Sequence, residues 1–322
     1  MGKVFLRADA ILESGDRMTV ERIADGITLI DLHHDNRASV IAAAALETDS
    51  GVAIIDPGPA ATIPALRSGL AEAGLDLTDV HTLLATHIHL DHAGACGTLV
   101  RANPSIRVFV HQRGARHMVD PSRLVQSATR LFGDSMDRLW GECLPIPQEN
   151  LTILEGDETI RVHGLPLDVA YTPGHASHHV SYFDSRSGTA FVGDASGGRI
   201  LGGSVVLPAT PPPDLDLDAT RSSLRRIEAW DPERLFVTHF GAATGVAAHH
   251  AQLEERLGAW AAWVRESLDD DDADEVRCRR FGEWIGRELR EKLGEEDAVA
   301  YEHGAPPDLS WYGLARYWRK KM

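Results

Sequence analysis

The chain has 322 residues, with 43% hydrophobic and 25% charged residues, which is typical of a globular protein with a substantial buried core. Its formal net charge of −16 repels polyanions, so we expect no nucleic-acid partner. The N-terminal residues show no basic segment followed by an apolar run, and no apolar run reaches the roughly 20 residues of a membrane span. We therefore expect a cytoplasmic protein that does not bind membranes.

Strands and turns dominate the first hundred residues. Short β-rich runs separated by polar turns predict strands over residues 27–32, 39–46 and 52–56. The pattern then predicts, in order, a helix, a strand, a helix and a strand, over residues 60–73, 80–86, 93–101 and 106–110. This alternation indicates βα units and a partly parallel sheet.

The middle of the chain predicts a helical insertion over about residues 112–142, followed by further strands. These strands are expected from residue 151, over 159–162, 168–172, 179–183 and 189–192, and finally over 235–238. A Gly- and Pro-rich passage over 197–213 contains too many helix and strand breakers for a regular element and is a candidate substrate loop. A helix from Leu217 to Trp230 follows it, and Asp218 could cap that helix.

Residues beyond Gly245 predict amphipathic helices, separated by the acidic run 269–275. We therefore predict a catalytic domain over residues 1–245 and a C-terminal helical extension over 246–322. Cys96, Cys143 and Cys278 have neither zinc-ribbon nor redox spacing. We therefore expect a reducing compartment and interpret each cysteine as a small core residue.

The densest chemical signal is a single turn that follows the strand predicted over 80–86. Four potential metal ligands occur within six residues of this turn: His87, His89, Asp91 and His92. Residues two apart on an extended segment face the same side, whereas the turn into the next helix can direct Asp91 and His92 elsewhere. Burying so many polar groups without cations would be costly, so the turn predicts metal binding, and its spacing can serve two neighbouring metal ions.

Three later segments each place a ligand-type residue in a turn after a short apolar strand. They end in Thr-Pro-Gly-His175, Val-Gly-Asp194 and Val-Thr-His239. Strand ends are where a rigid scaffold commonly displays catalytic groups.

Other titratable side chains are interpreted as structural. His33-His34 could line a pocket mouth, His178-His179 follows the His175 turn, and His249-His250 lies on a predicted helix. Strand alternation predicts that at most one of His178 and His179 faces the site. Tyr171 and Tyr182 could donate to an oxyanion, although both are interpreted as core aromatics.

The order of these elements resembles the metallo-β-lactamase superfamily, whose hallmark is His-x-His-x-Asp-His followed by a His, an Asp and a His at strand ends. An Asp after an early strand completes the pattern, here Asp56 in Ile-Ile-Asp-Pro-Gly. The resemblance extends over about residues 27–245 and implies an α/β fold, an αββα sandwich with metals at one edge of two facing sheets.

The resemblance also implies a role for each residue of the motif. His87, His89 and His175 would hold one metal, Asp91, His92 and His239 would hold a second, and Asp194 would bridge both. Asp56 would orient the ligand loop without touching metal. Nitrogen and oxygen ligands suit zinc most closely, with iron or manganese as alternatives.

The phrasing of the motifs is most similar to the glyoxalase II and lactonase branches, which implies a small-molecule ester, thioester or lactone substrate. A metal-bridged hydroxide would attack the carbonyl, and Asp91 would orient that water and shuttle its proton. The alternatives are a phosphodiesterase with the same metal pair, a one-iron persulfide dioxygenase and a metal-binding sensor with little turnover. A Glu at position 89 would have indicated a flavodiiron oxygen reductase.

Specificity is predicted to reside outside the ligand motifs. Residues 208–216 and the helices after Gly245 could form a substrate wall, with the aromatics Trp260, Trp284, Trp311 and Tyr312 as a water-excluding lid. The alternative is that these helices only cover the sheet or form a homodimer.

Overall fold

A computed structural model describes residues 19–322, and its architecture is two β-sheets packed face to face between helices. The first sheet has seven strands in chain order: β1 (Val20–Ala24), β2 (Ile27–Asp31), β3 (Ala42–Thr48), β4 (Gly51–Ile55), β5 (Val80–Leu84), β6 (Arg107–His111) and β7 (Leu151–Leu154). The second sheet has six strands, in the spatial order β13, β12, β11, β10, β9, β8. They are β8 (Thr159–Val162), β9 (Leu165–Tyr171), β10 (Val180–Asp184), β11 (Thr189–Phe191), β12 (Arg234–Val237) and β13 (Gly241–Thr244).

The first sheet changes direction at β4. Strands β1 to β4 form an antiparallel meander, whereas β4 to β7 are parallel and need helical crossovers. Helices in this half are α1 (Ile63–Glu72), α2 (Leu90–Ala93), α3 (Cys96–Ala102), α4 (Gln112–Val119), α5 (Ser122–Phe132) and α6 (Met136–Leu139). The carboxyl ends of β4 and β5 therefore lie at one edge of the sheet, where Asp56 and the His87 turn follow them.

Three hydrophobic layers hold the sandwich together. Residues such as Leu46, Ala53 and Phe236 fill the space between the sheets. Leu66 of α1 and Leu99 of α3 pack on the outer face of the first sheet. On the outer face of the second sheet lies Ile227 of α7 (Leu217–Glu228). This confirms the predicted αββα sandwich.

Four helices follow the second sheet and have their own core. They are α8 (Val246–Ser267), α9 (Asp274–Leu293), α10 (Glu295–Gly304) and α11 (Pro307–Arg319). Their core also contains apolar side chains of the Gly- and Pro-rich passage, among them Ile200, Val205 and Leu207. The helices after Gly245 are confirmed, whereas the division into two domains at residue 245 stays a prediction. Within residues 19–322, no helix is long and apolar enough to cross a membrane.

The structure differs from the sequence-based expectations at a helix cap, at the bounds of a helix and at two edge strands. The cap of α7 is Asp216, whose carboxylate accepts the backbone N–H groups of Asp218 and Ala219 at 3.0 Å, because a cap lies before the first helical turn and Asp218 lies within it. The helix predicted over 93–101 is present as α3, which begins only at Cys96, and a separate short helix, α2, precedes it from Leu90 to Ala93. The sequence pattern does not predict the edge strands β1 and β13, because neither has a strong apolar alternation.

The first 18 residues lie outside the described part of the chain. The prediction about the N-terminal sequence falls on them.

Candidate metal centre

The candidate site lies where turns follow the carboxyl ends of strands in both sheets. The His87 turn follows β5, His175 follows β9, Asp194 follows β11 and His239 follows β12. Glycines allow two of these turns to pack closely, since Gly174 and Gly193 have positive φ values of 142° and 46°. The seven side chains predicted as ligands all come together at this edge.

Three imidazoles form a first group. His89 Nδ1 lies 2.9 Å from His87 Nε2 and 3.0 Å from His175 Nε2. Tetrahedral zinc with Zn–N bonds of about 2.0–2.1 Å would hold such nitrogens about 3.3 Å apart. The three nitrogens therefore converge closely enough to share one small cation.

A second group consists of Asp91, His92 and His239, whose ligand atoms also lie within 4.8 Å of one another. Oδ2 of Asp91 is 3.3 Å from His239 Nε2 and 3.7 Å from His92 Nε2. The Asp91 side chain keeps 24% of its surface exposed, while His92 is fully buried. This group therefore has a solvent-facing carboxylate and a buried imidazole.

Asp194 lies between the two groups. Its Oδ2 is 3.3 Å from His175 Nε2 of the first group. The other oxygen, Oδ1, is 3.3 Å from His92 Nε2 and 3.5 Å from His239 Nε2 in the second group. One carboxylate thus presents a different oxygen to each group.

Backbone and side-chain acceptors fix the orientation of four imidazoles through Nδ1. His175 Nδ1 lies 3.0 Å from the Ala209 carbonyl oxygen, and His239 Nδ1 lies 2.9 Å from the Val40 carbonyl oxygen. A carbonyl only accepts, so each Nδ1 carries the proton and each Nε2 lone pair faces the cluster.

Asp56 has the same effect on the other two. Its Oδ2 lies 2.7 Å from His92 Nδ1, and it accepts the Thr86 hydroxyl at 2.8 Å, so that hydroxyl is left to accept from His87 Nδ1 at 3.1 Å. The backbone N–H of Thr86 and the hydroxyl of Thr238 also donate to the Asp56 carboxylate. Asp56 is therefore a buried anchor that contacts the ligand loop and not the centre of the cluster.

The pKa values of the histidines are shifted down in the first group and up in the second. Burial, together with the neighbouring imidazoles, holds the pKa of His87 and His89 well below 6.5. Burial also opposes protonation of His92, but Asp194, Asp56 and Asp91 raise its pKa well above 6.5. The pKa of His239 is raised in the same way, by Asp194 and Asp91 against burial. Without a metal, protons on the second group therefore offset the carboxylate charge.

The donor set fits divalent cations. Nε2 of His92 and Oδ1 of Asp194 are buried and have no hydrogen-bond partner of acceptable geometry among the described residues. In the first group, three imidazole nitrogens converge, and at most one proton can lie between His89 Nδ1 and each of the other two. Protons alone therefore satisfy this group poorly. Buried polar atoms without partners are costly, and a cation at each group would coordinate them.

Two histidines next to the cluster depart from the prediction. Rings of both His178 and His179 lie near His87, with centroids 6.1 Å and 5.1 Å away. Strand alternation does not apply because β10 begins only at Val180 and both residues lie in the preceding turn. His179 Nε2 accepts the backbone N–H of Asp194 at 3.3 Å, a contact that supports the Asp194 turn.

The remaining candidates have structural contacts. The hydroxyl of Tyr182 donates to the Ala85 carbonyl and that of Tyr171 to the Ser177 carbonyl, so neither tyrosine is directed at the cluster. His249 Nε2 lies 2.8 Å from the Ser196 carbonyl oxygen, and His250 Nε2 lies 3.0 Å from the Ser196 hydroxyl. These two histidines connect α8 to the turn that carries Asp194.

The predicted substrate wall is present only in part. Pro208, Ala209, Leu253 and Leu257 line a small cavity beside His175 and Asp194, so the Pro-rich passage and α8 do reach the site. The predicted aromatic lid is wrong for Trp260 and Trp311, which are 1% and 0% exposed in the core of the C-terminal helices. These two indoles stabilise helix packing.

Comparison with known proteins decides the family. Residues 37–239 match the sequence model of the metallo-beta-lactamase superfamily, and this range contains Asp56 and all seven clustered ligand-type residues. The chain belongs to the metallo-β-lactamase superfamily. The family predicted from the His87 turn and the later strand ends is thereby confirmed.

Individual relatives are distant. The metallo-beta-lactamase fold-containing protein ST1585 of Sulfurisphaera tokodaii is 29% identical over 162 residues, which cover 49% of this chain and 60% of that protein. A hydroxyacylglutathione hydrolase of Synechococcus is 27% identical over 253 residues, covering 77% of this chain and 85% of that protein. Other hydroxyacylglutathione hydrolases, including that of Legionella pneumophila strain Corby, match over only 46% of their length. The chain thus spans about half to two thirds of several curated relatives that it matches.

Among solved structures, the metallo-beta-lactamase family protein TTHA1429 of Thermus thermophilus has a TM-score of 0.67 at 22% identity. The superposition covers 93% of this chain and 95% of that one. This likeness supports the fold and carries no information about substrate.

Proposed function

We propose that this protein is a two-metal hydrolase that cleaves an ester, thioester or lactone. The observation that carries the proposal is the position of Asp194, which presents one oxygen to His175 and the other to His92 and His239. A carboxylate in this position can bridge two cations, whereas a one-metal site would need only one of the two groups.

His87, His89 and His175 would hold one cation, and Asp91, His92 and His239 would hold the other. Each cation would have three ligands of its own, with the shared carboxylate as the fourth, so water or substrate would enter as a further ligand, an expansion that zinc allows in catalytic sites. When bound, two divalent cations lower the pKa of a shared water and polarise a substrate carbonyl. Zinc is the metal we expect first, since the ligands are nitrogen and oxygen only, and iron or manganese would also be accepted.

The chain's own groups orient the reacting atoms. Asp91 is the more exposed of the two carboxylates in the cluster, with 24% of its side chain exposed against 6% for Asp194. An exposed carboxylate beside the open face can accept a proton from the attacking water and pass it to the leaving group. Asp91 is therefore both a ligand and the proposed proton carrier.

The names of the relatives favour a carbonyl substrate. Several relatives are named hydroxyacylglutathione hydrolase, and the match to the Synechococcus protein extends over most of both chains. At identities of 26–32% these names support a substrate class and not a particular substrate. A phosphodiester is the alternative, because the same pair of cations can stabilise a phosphoryl transition state.

The test combines metal analysis with a substrate panel. We expect two metal ions per chain by mass spectrometry, and hydrolysis of thioesters, lactones or aryl esters that is lost on chelation and restored by zinc. Faster turnover of bis-p-nitrophenyl phosphate than of every carbonyl substrate would replace the proposal with a phosphodiesterase. One stoichiometric iron with no hydrolysis would favour a dioxygenase, and two tightly bound metals with no turnover would favour a sensor.

A further inference from the structure

A strained turn between β2 and β3 lies against the second group of ligand-type residues. His33, Asp35, Asn36 and Ser39 have positive φ values of 46°, 53°, 59° and 61°, a conformation that L-residues other than glycine rarely adopt. The Asp31 carboxylate holds the turn by accepting the backbone N–H groups of His33 at 3.0 Å and Ser39 at 2.7 Å. Strained backbone of this kind persists where surrounding contacts enforce it, and it is often found at functional sites.

The side chain that this turn buries is His34. It is only 9% exposed. The turn continues into Val40, whose carbonyl oxygen lies 2.9 Å from His239 Nδ1, and the charges of Asp91 and His239 both shift the pKa of the His34 ring. Nδ1 is enclosed and has no hydrogen-bond partner among the described residues. Nε2 makes no hydrogen bond within residues 19–322 either, but it is not enclosed and retains contact with solvent. A buried imidazole thus keeps one free nitrogen beside the second group.

Trp140 holds the ring from the other side. The imidazole of His34 stacks on the Trp140 indole with centroids 5.1 Å apart and an interplanar angle of 22°. Trp140 follows α6 in the helical insertion, and Phe132 packs edge-on against it at 4.9 Å. An ion pair between Asp35 and Arg138 connects the same insertion to the turn. The insertion therefore fixes the His34 ring and closes this side of the site.

We propose that His34 is a substrate-positioning residue, an inference that rests on the proposed function. Its Nε2–H would donate a hydrogen bond to an oxygen of the substrate's acyl group, on the side of the site that Asp91 and His239 line. The stacking on Trp140 fixes the direction of that donor. The His34 side chain makes no hydrogen bond within residues 19–322, so its packing does not use either nitrogen, and a substrate oxygen would give the Nε2–H donor a partner.

The protonation state supports this role. Burial is the main cause that lowers the pKa of His34 to about 4, against the opposing effect of Asp91 and Asp35. Burial therefore favours the neutral ring, which carries a single proton. With no acceptor near Nδ1, the proton resides on Nε2, the nitrogen that solvent reaches.

The central variant is His34→Phe, which keeps a ring to stack on Trp140 and removes the donor. We expect two metals, an unchanged circular dichroism spectrum and a kcat/KM for the best carbonyl substrate that is about 10- to 100-fold lower, the effect of one hydrogen bond to a partly charged oxygen. The second readout is calorimetric binding of phenylacetate, a carboxylate that resembles a hydrolysis product, to the zinc-loaded protein. Its affinity should fall severalfold in His34→Phe, and His34→Gln, which keeps an N–H donor, should recover part of both losses.

The matched control is His81→Phe. His81 is a half-buried imidazole that, like His34, packs on another ring, with the His163 centroid 3.7 Å away, but it lies at the opposite end of β5 from the cluster. This variant should keep wild-type kcat/KM and phenylacetate affinity.

Three results would overturn the assignment of His34. They are wild-type kcat/KM and phenylacetate affinity in His34→Phe, loss of metal in that variant, and losses of equal size in His81→Phe. If wild-type protein hydrolyses no carbonyl substrate, the proposed function fails instead, and phenylacetate binding alone decides the role of His34.

Discussion

Asp56 offers the sharpest test of how the ligand loop is held, through the substitution Asp56→Ala. The buried carboxylate accepts four hydrogen bonds, from the backbone and hydroxyl of Thr86, from His92 and from Thr238. Two of these donors, the Thr86 N–H and His92 Nδ1–H, are fixed by the backbone and by the ring. The two hydroxyls can rotate toward other acceptors.

The expected magnitude follows from the two fixed donors. Each buried donor left without a partner costs about 1–3 kcal/mol, so Asp56→Ala should lower the free energy of unfolding of the metal-free protein by roughly 2–6 kcal/mol. Because His92 also loses the group that orients it, metal affinity at the second group should fall by about 10- to 100-fold.

The assay is urea denaturation of chelator-treated protein, followed by zinc titration of the same samples. Thr238→Val is the matched control, because it removes one of the four donors, and the hydroxyl it removes has no other hydrogen bond among the described residues. It should cost only about 1 kcal/mol and leave zinc affinity unchanged. If Asp56→Ala fails to fold, Asp56→Asn keeps the shape and the same order of effects is expected. A stability within about 1 kcal/mol of wild type would refute the anchoring role, since it is less than one unpaired donor should cost.

Three further predictions concern the metals. Chelation should remove two ions per chain together with hydrolysis, and a single stoichiometric iron would contradict the two-metal assignment. Asp194→Ala should remove more activity than Asp56→Ala, because Asp194 presents an oxygen to the converging atoms of both groups, whereas Asp56 contacts His92 only through Nδ1, on the side away from the cluster; equal losses at unchanged metal content would show that these roles are misassigned. Affinity for the second ion should fall as pH falls. In the metal-free cluster the neighbouring carboxylates raise the pKa of His92 and of His239 in spite of burial. Below those pKa values protons occupy the ligand nitrogens, and the metal must displace them. The metal affinity should therefore fall by up to about tenfold per pH unit for each proton displaced. Zinc titration between pH 5.5 and 8.5 measures this slope, and a flat profile would contradict it.

Residue types and order alone determined a large part of this protein. Seven ligand-type residues were recognised because coordination chemistry allows few side chains, and because each one follows a short apolar strand or lies in the His87 turn. The αββα sandwich followed from the same motif, and the family match over residues 37–239 confirms it. These features are local in the sequence, so a single pass along the chain finds them.

Only the tertiary structure decided how these groups are held and what surrounds them. The carbonyl oxygens of Ala209 and Val40 orient His175 and His239, yet a backbone carbonyl has no signature in the sequence. His34 and Trp140 are 106 positions apart, and their stacking depends on how the insertion packs against the strained turn. His178 and His179 both approach His87 because a turn, and not a strand, carries them. Such contacts arise from long-range packing, in which the position of one side chain is fixed by residues that periodicity and spacing cannot connect.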